Sequence, residues 1–311
     1  MRKSLKTMAL TSLLLATPAL AAEPPAVLVS IKPLHGLVAS VMKGVAEPGL
    51  IVSGNSSPHG YAMKPSNRRA MEKAALVVWV GKDFETWLNG AMAKNKDRLS
   101  MQEIPGMTLL ETREGGVWEA HDHGGEHHGP GQHAKEDHDE TDGHLWLDPD
   151  NAARLVDAVA ERLKTLDPSR AATYASNAAD TKGRLAKLDD DLKARLAPLA
   201  AKPYVVFHDA HQYFEKRYGL SPAGAMTVDP ERPLGAKRLA ALRDRLKAAK
   251  ASCVFREPRF GEAAARTLAD SANVGVGQLD PEGTMLDPGP DAYFALMNGL
   301  GTALADCLSG R

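Results

Sequence analysis

Apolar positions along the chain follow two alternating patterns. Short continuous β-prone runs at residues 27–31, 50–52, 76–80 and 107–110 alternate with stretches at 34–43, 66–75 and 84–95 in which apolar residues tend to recur every three or four positions. The first kind suits strands covered on both faces, and the second suits amphipathic helices. Ser66 stands where a helix N-cap is favoured. The second half repeats the style, with strands at 204–207, 224–228, 252–255 and 274–279 and helices at 210–218, 235–249, 262–272 and 291–308. Such alternation predicts βαβ units and mostly parallel sheets. Between the halves lie a helix over 151–166, striped by Leu155, Val156, Val159, Leu163 and Leu166, and a longer one that Ser169 is placed to cap. The longer stripe is Tyr174, Ala178, Thr181, Leu185, Leu188, Leu192 and Leu196, ended by Pro198. At 1.5 Å per residue this is a rod of roughly 40 Å. The predicted fold is therefore α/β: an N-terminal lobe over 23–168 and a C-terminal lobe over 198–311, joined by one rigid helix over 169–197, with a site in the cleft between them.

Two stretches break the pattern. The first 22 residues carry a basic start, a short apolar run from Met8 to Leu15 and a small-x-small site, Ala19-Leu20-Ala21. That is the form of a secretory signal peptide cut near residue 21 or 22, and the run is too short to span a bilayer. The second is 120–143, AHDHGGEHHGPGQHAKEDHDETDG, with too little apolar content to bury. It reads as a disordered surface loop. Its histidines, His121, His123, His127, His128, His133 and His138, are a compositional signal for divalent metal, read here as secondary, weaker contacts beside a deeper site. A solvated linker with idle histidines is the blander alternative.

Composition narrows the class. The formal net charge of −1 and the lack of a basic patch exclude a nucleic-acid partner. An exported chain with two cysteines, Cys253 and Cys307, reads as carrying a disulfide, against two separately buried thiols. No later segment is long and apolar enough to cross a membrane, so a soluble exported product is expected.

Candidate chemistry sits beside the strands. His59 lies in the Gly-, Ser- and Pro-rich loop after 50–52, His144 precedes Leu145-Trp146-Leu147, His208 follows Phe207, and Asp280 follows Leu279. Ligand groups gather at the carboxyl ends of parallel strands, and two facing lobes would bring these ends to one cleft. Three imidazoles and a carboxylate make a good tetrahedral set for Zn²⁺. Each residue taken singly is as well explained as a hydrogen-bonded neighbour of a strand, and neither HExxH nor paired CxxC is present.

Five segments, GNSSPHGYAMKP at 54–65, LVVWVG at 76–81, HLWLDP at 144–149, VFHD at 206–209 with Tyr213-Phe214-Glu215, and LDPEGT at 279–284, together resemble the ZnuA-like periplasmic zinc-binding proteins of ABC importers, the cluster A-I metal-binding family. The resemblance covers essentially the whole chain after the leader, and a His-rich loop before the second ligand is typical of the zinc branch. It implies His59, His144 and His208 as ligands, with Asp280 or a water completing the set, and Cys253–Cys307 as the disulfide of the C-terminal lobe. It also implies a periplasmic, monomeric carrier rather than an enzyme. The transported ligand would be Zn²⁺, and the partners a zinc ABC permease and its ATPase at the inner membrane, with a periplasmic metallochaperone a further candidate. Two positions depart from the family. Pro58 stands where some zinc-type members carry a carboxylate, which favours Asp280 as the fourth ligand. His211 replaces a common aromatic residue one turn beyond His208, where it can support the site, as can His35 after the first strand.

The donor set favours zinc over manganese, because affinity at imidazole rises along the Irving–Williams order. Ligand histidines must be neutral, so affinity is expected to fall below about pH 6.5. The competing readings are a manganese carrier or adhesin on the same fold and a zinc hydrolase.

Overall fold

The computed structural model describes residues 23–54, 56–113, 141–227, 230–231 and 235–310. The leader and the histidines of the 120–143 tract lie outside them. The N-terminal lobe is built on β1 (Val27–Val29), α1 (Lys32–Val41), β2 (Gly49–Leu50), α2 (Pro65–Lys73), β3 (Leu76–Trp79), α3 (Asn89–Met92), β4 (Arg98–Ser100) and α4 (Pro149–Leu166). After α5 (Ala171–Leu196) come β5 (Tyr204–His208), α6 (Gln212–Tyr218), β6 (Pro222–Thr227), α7 (Ala236–Ala249), β7 (Cys253–Arg256), α8 (Glu262–Ala272), β8 (Gly275–Gln278) and α9 (Ala292–Leu308). Each lobe holds one four-stranded sheet, ordered β2-β1-β3-β4 and β6-β5-β7-β8, and every strand pair is parallel. In both sheets the first strand has neighbours on either side. The connections therefore reverse there, and a crevice opens at the strands' carboxyl ends.

The long stripe holds. Tyr174, Ala178, Thr181, Leu185, Leu188, Leu192 and Leu196 are all buried along α5, which packs on α4, α9 and α1. Its 26 residues make a rod of about 39 Å. One apolar core runs from the N-terminal sheet through α4 and α5 to α9, and a smaller one lies under α7 and α8.

Four local expectations are corrected. The fourth strand of the first sheet is Arg98–Ser100 rather than 107–110. The backbone at 107–110 is instead held by side chains: Asn151 pairs with Thr108 through both its amide oxygen and nitrogen, and the Leu110 N–H donates to the Tyr213 hydroxyl. A polar edge strand such as Arg-Leu-Ser carries no hydrophobic signal. Residues 84–95 form a 3₁₀ turn and one short helix, because Asn89 and Gly90 are poor helix formers. Neither Ser66 nor Ser169 caps a helix. The Asn67 side chain accepts the Lys64 N–H with Pro65 in the first turn, and the Ser169 hydroxyl donates to Asp167. Leu166, at the end of the α4 stripe, is exposed.

The disulfide forms between Cys253 and Cys307, tying the first residue of β7 to the end of α9. No helix among the described residues is long and apolar enough to cross a membrane.

Candidate metal centre

Three elements deliver three imidazoles to one point. His59 is carried by the loop between β2 and α2, where its N–H donates to the Ser57 hydroxyl. His144 sits immediately before a 3₁₀ turn over Leu145–Leu147 whose residues are fully buried. His208 is the last residue of β5, at the point where the connections of the second sheet reverse. One ligand nitrogen from each lies within 4.8 Å of the other two. Ring centroids are 5.6 Å apart for His59 and His144, 5.0 Å for His59 and His208, and 5.1 Å for His144 and His208. Tetrahedral zinc at bond lengths near 2.0–2.1 Å needs nitrogens about 3.3 Å apart, so small ring movements suffice.

The outer nitrogens fix which atom faces inward. His144 Nδ1 meets Asp142 Oδ1 at 2.7 Å, and the same oxygen accepts the His144 N–H at 3.0 Å. His208 Nδ1 meets Glu257 Oε1 at 2.8 Å. With Nδ1 engaged, Nε2 of each is left inside; the Nε2 atoms of His59, His144 and His208 are all buried without a hydrogen-bond partner. Buried imidazole nitrogens lacking any partner are unfavourable unless something else satisfies them. A carboxylate behind a ligand histidine is also the usual support for a metal-bound ring. Phe84 packs edge-on against His59 and His144 at 5.0 and 5.2 Å, and Trp146 lies 5.2 Å from His144, so the rings stand in an apolar box.

Charge favours a cation. Burial and the neighbouring imidazoles push His59 and His144 well below the usual histidine range, the Arg113 guanidinium also acting on His144. Burial lowers His208 most strongly, but Glu257, Glu282 and Asp209 together outweigh it and leave that ring above its ordinary value. Burial raises Asp142 to about 7 and Glu282 to about 8. A divalent cation at the centre would relieve these crowded carboxylates.

Asp280, expected as the fourth ligand, is not brought to the three histidines. Its Oδ1 accepts from the Thr284 N–H and hydroxyl at 2.9 and 3.1 Å, and its Oδ2 from the Met285 N–H at 3.0 Å, which spends the carboxylate on its own turn. Two residues on, Glu282 Oε1 stands 3.5 Å from His59 Nε2. His35 is held elsewhere, its Nε2 against the Pro48 carbonyl at 2.9 Å. His211 is buried with both ring nitrogens unpartnered, and burial, with His208 and His144, holds it well below the usual histidine range. The six tract histidines lie outside the described residues. Sequence reasoning missed Asp142, Glu257 and Glu282. Only the last had a visible signal, the carboxylate inside LDPEGT.

A family model described as the periplasmic zinc-uptake complex component A, ZnuA, matches residues 27–307. The high-affinity zinc uptake system protein ZnuA of Brucella suis is 41% identical, with 93% of each chain covered. The chain belongs to the ZnuA family. The ZnuA of Yersinia pestis is 34% identical with 97% of each chain covered. A crystal structure of ZnuA superimposes with a TM-score of 0.73 at 25% identity, covering 92% of this chain and 99% of that one. The Treponema pallidum periplasmic zinc-binding protein TroA shares the fold, with a TM-score of 0.75 at 21% identity over 92% and 99% of the two chains. The ZnuA match takes in both lobes and all three histidines. A zinc-bound ZnuA deletion mutant also superimposes, with a TM-score of 0.71 at 26% identity, covering 93% of this chain and 99% of that one.

Proposed function

We propose that this chain captures Zn²⁺ between its lobes through His59, His144 and His208 and hands it to an ABC-type importer. The observation that carries the reading is the convergence of three inward, unpartnered imidazole nitrogens supplied by both lobes. The zinc named in its relatives supports the choice of metal, as does the nitrogen-rich donor set. Glu282 is the fourth ligand in this reading, since Asp280 is engaged in its turn. A corner filled by Glu282 leaves no open position for an activated water, which argues against hydrolysis and for a carrier. The partners are then an importer permease and its ATPase. The first 22 residues act as a removed export signal, which the intact mass of the exported chain reads directly.

The test is a competitive zinc titration of His59→Ala, His144→Ala, His208→Ala, Glu282→Gln and Asp280→Asn. Each histidine variant should lose more than the roughly 10–100-fold that removal of a supporting partner causes. Glu282→Gln should weaken binding, and Asp280→Asn should act chiefly on stability. Zinc affinity left intact by all three histidine changes would sink the reading. For the tract, we propose weak accessory binding: deleting 120–143 should preserve the tight equivalent and remove only weaker ones. Loss of the tight equivalent would count against that role.

A further inference from the structure

A small cavity of about 130 Å³ opens beside two of the three histidines, and His59, His144, Arg113, Asp142 and Asp209 all line it. Its carboxylates decide what metal it welcomes, because oxygen donors suit manganese and imidazoles suit zinc. Asp142 is engaged with His144. Asp83, also on the wall, accepts from the Gln102 side chain. Asp209 directly follows His208 and shares the cavity wall with His59 and His144, so it is a further carboxylate within the same pocket. It is held by Arg113. Arg113 Nε donates to Asp209 Oδ2 at 3.1 Å, Nη2 binds Oδ1 of the same carboxylate, and Nη1 reaches Glu215 Oε2 at 2.8 Å. The Tyr204 hydroxyl donates to the other Glu215 oxygen at 3.1 Å. The guanidinium fork thus occupies both oxygens of Asp209 and ties down a second buried carboxylate behind it, a two-acid grip that a point-charge ammonium does not reproduce.

We infer that Arg113 is a specificity-determining residue that keeps the Asp209 carboxylate out of the metal site and so holds the donor set rich in nitrogen. Freed from the fork, Asp209 adds a hard oxygen donor at the cavity wall. Binding of Mn²⁺ then gains relative to Zn²⁺. The inference rests on the histidine trio being the zinc site.

The test measures the dissociation constants of Zn²⁺ and Mn²⁺, by competition with a chelator of known affinity, on wild type, Arg113→Met, Arg113→Lys and Arg113→Met/Asp209→Asn. Co²⁺ spectra of each report the donor set. The ratio of the manganese to the zinc constant should fall about tenfold in Arg113→Met. Arg113→Lys should lie between, and Asp209→Asn should restore the ratio by removing the released carboxylate. If Arg113→Met does not fold, Arg113→Lys decides by the same ratio. Equal loss for both metals, or a shift that Asp209→Asn leaves in place, would show Arg113 to be merely structural. Failure of the underlying site is distinguishable, because His144→Ala would then leave wild-type zinc binding unchanged, whereas failure of this inference leaves wild-type binding intact and only the ratio unmoved.

Discussion

At the scale of single residues, the three clustered histidines are not equivalent toward protons. His59 and His144 are held low by burial and by neighbouring positive charge, so they stay neutral as pH falls. His208 is raised by Glu257 despite its burial and takes up a proton first. Zinc must displace that proton, so apparent affinity should be flat at alkaline pH and begin to fall above the ordinary histidine value near 6.5, by about tenfold per pH unit for one proton. Glu257→Gln removes the strongest of the charges that raise His208, leaving those of Glu282 and Asp209, and should move the onset of the fall to lower pH. It should also weaken binding at pH 8 by roughly 10–100-fold, because the supporting carboxylate is gone. Zinc constants measured from pH 5 to 8 check both. An unmoved onset in the variant would mean that another group controls the proton. The three clustered histidines were legible in the sequence because His144 and His208 stand beside apolar runs and His59 lies in the loop that follows one. Their supporting acids were not, because Asp142 and Glu257 are single residues whose role depends on a contact, 49 positions distant for the Glu257 pair. Asp280 shows a related dependence: its position after β8 suits a ligand, but its carboxylate is bound by backbone donors four and five residues on, a contact the sequence does not display.

At the scale of elements, period was a better guide than boundary. The stripe of α5 and the apolar strands β1, β3 and β5 were readable because burial on one or both faces imposes a pattern. The short polar β4 and the side-chain-bound strip at 107–110 were not readable, since their partners are Val77, Val78 and Trp79 in one case and Asn151 and Tyr213 in the other. The turn carrying His144 shows how tightly such an element is specified. A Cβ placed on Gly143 would lie 2.5 Å from the Phe84 Cβ and 2.7 Å from a ring carbon. Phe84 in turn packs on His59 and His144. Gly143→Ala should therefore displace the ring, with an overpacking penalty of about 1–3 kcal/mol, and disturb two ligands at once. Zinc affinity should fall together with thermal stability. Gly299→Ala in α9 is the control: nothing lies within 4 Å of its Cβ, and it should bind zinc normally. Normal zinc binding by Gly143→Ala would show that Phe84 can relax without moving the imidazoles.

At the scale of the molecule, metal chemistry and covalent bracing occupy opposite ends of the sheets. The proposed ligands and their partners lie at or beyond the carboxyl ends of strands: His208 closes β5, Glu257 follows β7, and Glu282 follows β8. The disulfide lies at the other end, where Cys253 opens β7 and Cys307 nears the end of α9, 54 positions apart. Closing a loop of that length removes about 4 kcal/mol of denatured-chain entropy on the simplest account, and less where the unfolded chain retains structure. The metal end is braced differently, by bonds across the lobes. Trp146 Nε1 donates to the Pro281 carbonyl, Lys32 Nζ to the carbonyls of Thr284 and Leu286, and the Tyr293 hydroxyl to the Trp146 carbonyl. These hold the turn bearing Glu282 against the N-terminal lobe without help from the cystines. Cys253→Ser/Cys307→Ser should therefore lose about 2–4 kcal/mol of stability in urea unfolding while keeping zinc affinity within a few-fold of wild type at temperatures where it remains folded. A large loss of affinity in a folded double variant would mean that α9, through its contact with β8, transmits strain to Glu282 across the length of the sheet.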